Sequence, residues 1–169
     1  LEGALRALVG EERQAAYLVI LRDQQIDEME QQLDRLCLEF LVRQQPAGGH
    51  LRFAYAATKI STELERIGDH AEAVARRVLK LEQIKPDFVY DQFREMGEAS
   101  LGMLRDAVRA FVEHDAELAQ VTMRVERTID KMRRKLDDTL AAKEREGVLA
   151  LEPFALLSTW LSEDREPSL

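Results

Sequence analysis

The chain has 169 residues, of which 33% are charged and 46% are hydrophobic, a balance that allows it to bury a core. No apolar run approaches the roughly 18–20 residues that a membrane span needs. The net charge of −8 disfavours nucleic acid or an anionic membrane as the main partner. The single cysteine, Cys37, excludes an intrachain disulfide and suits a reducing cytoplasm; we expect it to be a small buried hydrophobe.

Glycine and proline residues divide the sequence into segments with helical periodicity, and no segment shows the alternation of a strand. A partial helix is predicted over Leu1–Val9, and long amphipathic helices over about 12–44, 50–82, 87–113 and 115–146. Since short connections force neighbouring helices to run antiparallel, we expect an up-and-down bundle. The predicted apolar seam of the first long helix contains Leu18, Ile26, Met29, Leu33, Leu36 and Phe40.

An internal repeat relates residues 12–36 to residues 115–139 at a constant offset of 103 positions. It aligns Ile26 with Ile129 and Asp27 with Asp130. We therefore predict an all-α protein of two tandem three-helix bundles, at residues 1–84 and 85–169, with the second bundle truncated in its last helix from Leu151 onward. Because the chain begins at Leu1 and not at methionine, we expect it to be a piece of a longer protein.

Among the acidic residues that lie four positions apart, we single out three pairs on three helices; this spacing places like charges one above the other and costs roughly 0.2–0.5 kcal/mol. In one of them Gly68 adds roughly 0.5–1 kcal/mol of helix destabilisation. Water, a basic neighbour such as Arg66 or Arg127, or a bound cation could relieve the repulsion, and oxygen ligands favour magnesium, manganese and iron. The alternative is a solvated acidic face. The pairs are Asp23 with Asp27, Glu65 with Asp69, and Glu126 with Asp130.

The residues around one acidic pair resemble a known family. The segment 63-ELERIGDHA-71 is similar to the signature helix of the PhoU family, regulators of bacterial phosphate uptake, and 43-RQQPAGGHLR-52 resembles the approach to that helix. The segments 23-DQQID-27 and 126-ERTID-130 resemble the two copies of the family's acidic helix. The chain departs from the pattern at His50, which replaces a helix-capping aspartate, and over 153–169, which lacks a second signature.

This resemblance implies two tandem bundles with carboxylate-ligated multinuclear metal sites on their surface. The implied ligands are the six acids of the three pairs, and iron, zinc, manganese or magnesium are the expected ions. It also implies a cytoplasmic, homodimeric, non-enzymatic regulator that binds the ATPase of the phosphate ABC transporter and the phosphate-sensing histidine kinase. Through the kinase it would act indirectly on transcription.

Two other classes of function are compatible with the residues. One is a metal-free helical module for interaction or oligomerisation. The other is an enzyme that uses carboxylate-bound metal in hydrolysis or oxidation. The sequence contains no glycine-rich phosphate loop and no HExxH spacing, and we identify no nucleophile–base arrangement, so we expect a non-enzymatic protein.

Overall fold

In the computed structural model, which describes residues 1–10, 12–80 and 87–147, the chain forms five α-helices and these residues contain no strand. The all-α prediction is confirmed, and every helix bound lies within two residues of its predicted position. None of the described helices has an apolar stretch long enough to cross a bilayer. The predicted segment from Leu151 onward lies outside the described residues. The helices are α1 (Glu2–Gly10), α2 (Arg13–Gln44), α3 (Gly49–Lys80), α4 (Asp87–Glu113) and α5 (Ala116–Arg145).

Local chemistry fixes the tight connections between the long helices. Gln45 ends α2 in the left-handed conformation at φ 43°, and its N–H donates to the carbonyl of Leu41. Asp115 caps α5, because its carboxylate accepts a hydrogen bond of 2.9 Å from the N–H of Leu118. Each connection is only a few residues long, so α2–α3 and α4–α5 pack as two helical hairpins.

The short helix α1 joins the two hairpins, since it contacts α2, α3 and α4. The 103-residue offset of the sequence repeat reappears in the helix bounds, because α2 and α5 begin, and α1 and α4 end, 103 positions apart. Glu2 and Arg105 are also 103 positions apart, and they form an ion pair of 3.2 Å between α1 and α4. The division into units at 84 and 85 stays a prediction.

Two kinds of core hold these helices together. Between α1, α4 and α5 the core is built of large side chains, with Phe93, Leu136 and Leu140 at most 1% exposed. Between α1, α2 and α3 it is built of small ones, which allow the helix backbones to approach closely. The buried alanines there are Ala4, Ala7, Ala15, Ala16, Ala71 and Ala75.

The predicted apolar seam of α2 is only partly buried, which corrects the sequence-based expectation. Met29 and Leu36 are 60% and 59% exposed, and Cys37 is half-buried where we expected full burial. The reason is length: the nine residues of α1 extend about 13 Å, whereas the 32 residues of α2 extend about 48 Å. As a result α1 covers only the first turns of α2, and among the described helices it is α3 that packs against the rest of α2.

Candidate metal centre

Helices α2 and α3 bring three aspartates together at their interface. Asp23 and Asp27 lie one turn apart on α2, Asp69 faces them from α3, and each offers a carboxylate oxygen within 4.8 Å of the others. Oxygens that share one cation at metal–oxygen distances of about 2.0–2.4 Å lie up to about 4–5 Å apart. The three carboxylates therefore fit a common cation, and they connect two of the three predicted acidic pairs.

Glu65, the fourth predicted residue, lies beside the three aspartates. Glu65 is half-buried, and desolvation of its carboxyl group raises its pKa. The negative charges of Asp69, Asp27 and Glu30 raise it further, as does a hydrogen bond with Asp69 that the protonated carboxyl donates. We call Asp23, Asp27, Glu65 and Asp69 the acidic cluster.

The pKa of Asp23 is raised for similar reasons. Burial contributes most, followed by the charges of Glu72, Asp27 and Asp69. Arg76 opposes the shift, but this guanidinium lies 2.5 Å from Glu72 and forms an ion pair with it. Two members of the acidic cluster thus resist ionisation, which is the electrostatic situation that a bound cation relieves.

Two further acids border the cluster, and pair-by-pair reading of the sequence missed them. Glu30 lies one turn beyond Asp27, where it accepts a hydrogen bond of 3.5 Å from the hydroxyl of Thr62. Glu72 lies one turn beyond Asp69. The sequence could have indicated both residues. On each helix a third acidic residue follows the predicted pair by three positions, and this spacing keeps it on the same helix face.

Gly68 allows the close approach of the two helices at this point. A Cβ atom here would lie 3.0 Å from Cδ1 and 3.3 Å from Cγ2 of Ile26, and 3.7 Å from a carboxylate oxygen of Asp23. Glycine weakens a helix, yet at this position it lets α2 pack against the backbone of α3. Gly68 therefore makes α3 locally less stable, but it allows the aspartates of α2 and α3 to lie close together.

Replacing Gly68 with alanine should separate the cost of glycine in a helix from its benefit for the packing of α2 on α3. Gly102 of α4 is a matched control, because no atom lies within 4 Å of the Cβ that alanine would add there. We expect Gly102→Ala to stabilise the protein by up to about 1 kcal/mol through helix propensity, and Gly68→Ala to lose that gain because Ile26 must move. Urea denaturation measures both variants. Equal stabilisation by the two would show that Ile26 does not restrain this position.

The raised pKa values predict a pH dependence for the metal-free protein. For an acid whose pKa is higher in the folded state, the folded protein binds more protons, so stability falls as pH rises from the ordinary carboxyl range near 4 through the folded pKa. We expect Asp23→Asn/Glu65→Gln to remove this loss. The measurement is urea denaturation with chelator across that range, and a wild-type-minus-variant difference that does not change with pH would contradict it.

The third predicted pair, Glu126 and Asp130 of α5, is placed differently. Neither belongs to a group of three potential ligands among the residues that the structure describes. Glu126 is exposed, and Asp130 is 3.5 Å from the guanidinium of Arg133. Arg133 occupies the repeat position of Glu30, so the second repeat has a cation where the first continues its acidic row.

The donor set limits which metals suit the cluster. All of its ligand atoms are carboxylate oxygens, which favour magnesium, manganese and iron, whereas zinc sites in proteins commonly use histidine or cysteine. The neighbouring His70 is not one of the three gathered ligands. The residues present thus fit a hard or borderline cation.

Comparison with known proteins agrees with the fold. A family model described as the PhoU domain matches residues 1–78 and 93–159. A phosphate-specific transport system accessory protein PhoU homolog of Pseudomonas putida is 37% identical over 129 residues, which cover 76% of this chain and 50% of that protein. The chain spans about half the length of such curated relatives.

Two crystal structures resemble the whole arrangement of helices. The structure of PhoU from Pseudomonas aeruginosa has a TM-score of 0.89 and 31% identity, and the match covers 95% of this chain and 78% of that one. The phosphate transport system regulatory protein PhoU from Streptococcus pneumoniae has a TM-score of 0.77 and 27% identity, with 95% and 79% covered. By the family match, which includes most of its residues, the chain belongs to the PhoU family.

Proposed function

We propose that this chain acts as a cytoplasmic, non-enzymatic regulator of phosphate uptake and phosphate signalling. Its relatives are named accessory and regulatory proteins of phosphate transport, which supports this role. Its partners would be the ATPase of a phosphate ABC transporter and a phosphate-sensing histidine kinase. The homodimer that the resemblance implies remains a prediction.

We infer that the acidic cluster holds a metal ion as a structural or sensing element of this regulator. The single observation that carries the inference is the gathering of Asp23, Asp27 and Asp69 from two helices within 4.8 Å. Asp23, Asp27 and Asp69 would supply the first ligands, with Glu65 beside them. A cation bound there would neutralise carboxylates that otherwise repel each other, and it would tie α2 to α3.

Metal content and partner binding are tested separately. Protein purified without chelator is analysed for iron, zinc, manganese and magnesium, together with Asp23→Asn/Asp27→Asn/Asp69→Asn. The control Glu95→Gln/Glu98→Gln/Glu113→Gln removes the same charge from exposed positions of α4. We expect bound metal in the wild type and the control, and none in the aspartate variant. Metal-free wild-type protein would overturn the metal proposal.

Partner binding is measured with the purified transporter ATPase and with the cytoplasmic part of the kinase, each immobilised and titrated with this chain. Binding to at least one of them supports the regulatory role. Failure to bind either, by protein whose helical content and metal content are intact, would refute the proposed partners and leave the metal result standing.

A further inference from the structure

The exposed face of α5 carries a concentration of positive charge that the acidic cluster does not explain. Six basic residues occur within the 12 positions from 124 to 135, and five of them have exposed side chains. At about 100° per residue they fall within an arc of about 100°, and they span about 16 Å along the helix. We call them the basic stripe: Arg124, Arg127, Lys131, Arg134 and Lys135.

The basic stripe lies away from the core. The side chains of α5 that pack inward include Leu136 and Leu140, which are buried, and Ile129 and Met132, which pack against the core. The centre of the stripe is rotated by about 150° from that inward face. Its five cations are therefore available to a molecule that approaches α5 from outside.

None of the five cations forms an ion pair with any part of the chain that the structure describes. By contrast, Arg43, Arg66 and Arg109 each lie 2.8–3.2 Å from a carboxylate one turn away on their own helix. Around Arg124 and Lys131, the residues three and four positions away are uncharged or basic. The stripe therefore contains repelling like-charge pairs, which destabilise an isolated helix.

The fold does not require this charge. Helix α2 occupies the corresponding place in the first repeat, and the positions 103 residues before the stripe are also exposed there. None of them is basic, and one is acidic. They are Leu21, Gln24, Glu28, Gln31 and Gln32. The exposed face of α2 is thus compatible with the fold without any cation. The cations on the corresponding face of α5 therefore indicate that it binds a ligand.

The two ends of the stripe indicate what kind of anion fits. Glu117 and Asp138 lie on the same arc, one at each end, and both are exposed. A membrane surface or a nucleic acid extends past both ends, so its negative charges would meet these carboxylates. The arc also lacks the apolar side chains with which interfacial helices enter a bilayer. A partner of limited length matches better.

We propose that the basic stripe is a docking surface for an acidic helix of a partner protein. The complementary helix carries carboxylates over about three turns of one face and cations just beyond them, so that these meet Glu117 and Asp138. This inference stands on the charges of α5 alone. It holds whichever protein the family role involves, and whether or not the acidic cluster binds metal.

The test uses labelled helical peptides and fluorescence anisotropy. One peptide has four glutamates on a single face in its centre and a lysine beyond each end, and a second has the same composition with the glutamates spread around the helix. We expect the first to bind, with affinity falling about tenfold or more between about 50 and 300 mM salt, and the second to bind at least about tenfold more weakly.

The matched variants are Arg127→Gln/Lys131→Gln/Arg134→Gln in the stripe and Arg35→Gln/Arg52→Gln/Lys59→Gln on α2 and α3. The stripe variant should lose at least about tenfold in affinity and the control should not. Should the triple variant fail to fold, Arg124→Gln/Arg127→Gln gives the same comparison.

Unchanged affinity in the stripe variant, or equal binding of the two peptides, would overturn the proposal. Two further results would do so by identifying another occupant. One is stripe-dependent binding to phosphatidylserine vesicles without binding to the peptide. The other is self-association in sedimentation that the stripe variant abolishes.

Discussion

Replacing Phe93 with alanine is expected to destabilise the protein by about 3–5 kcal/mol. The Phe93 side chain is fully buried, and it belongs to the core that Leu8 of α1, Leu136 and Leu140 of α5 and its neighbours on α4 build together. Removing the ring leaves a cavity where three helices meet, so the loss includes both apolar transfer and unfilled contacts. Urea denaturation followed by circular dichroism measures the change in unfolding free energy.

Val112 of α4 is the control for this substitution. Its side chain is 66% exposed, so Val112→Ala should change the stability by no more than about 0.5 kcal/mol. A loss below about 1 kcal/mol for Phe93→Ala would mean that the core between α1, α4 and α5 contributes far less than its burial indicates.

Neutralising the three aspartates should abolish the stabilisation of the protein by added metal. With chelator present, Asp23→Asn/Asp27→Asn/Asp69→Asn is expected to be more stable than the wild type, because it removes charges from a cluster in which burial and, after it, mutual repulsion raise the pKa of Asp23 and Glu65. With manganese at about 100 times its dissociation constant, the wild type should gain about 2.7 kcal/mol and the variant nothing. The order of the two proteins then inverts.

Thermal unfolding with chelator and with a manganese titration measures this inversion. The α4 variant Glu95→Gln/Glu98→Gln/Glu113→Gln has the same net charge, so it separates a specific site from a general charge effect. Metal stabilisation that persists in the aspartate variant would place the ion elsewhere. A less stable aspartate variant in chelator would show that the carboxylates make favourable contacts that outweigh their repulsion.

The helix bounds could be predicted because local signals set them. Amphipathic periodicity runs between glycine and proline residues, and these positions end helices for steric reasons that do not depend on the rest of the fold. The bound at Gly49 is an example, since α3 begins there without an acidic cap. Burial was harder to predict, because it depends on which helix covers which. The exposure of Met29 follows from the short reach of α1, which periodicity does not reveal.

Only part of the candidate site could be predicted, because the sequence pattern does not show which helices pack together. Spacing places Asp23 above Asp27, and Glu65 above Asp69, but only the packing of α2 on α3 decides that the two pairs meet. The contact of Gly68 with Ile26 became known only with the structure. The pair Glu126 and Asp130 has the same spacing and a different setting, because Arg133 lies beside it.

The contact of α1 with α4 has a consequence for how the chain folds. Each helical hairpin is built from residues close in sequence, so its contacts close short loops and can form early. The contacts between α1 and α4 close much longer loops: about a hundred residues for the ion pair of Glu2 with Arg105, and about eighty for the packing of Leu8 near Phe93. Closing a longer loop costs more chain entropy, so these contacts form more slowly than those within a hairpin. We therefore expect the packing of α1 on α4 to form after the two helical hairpins.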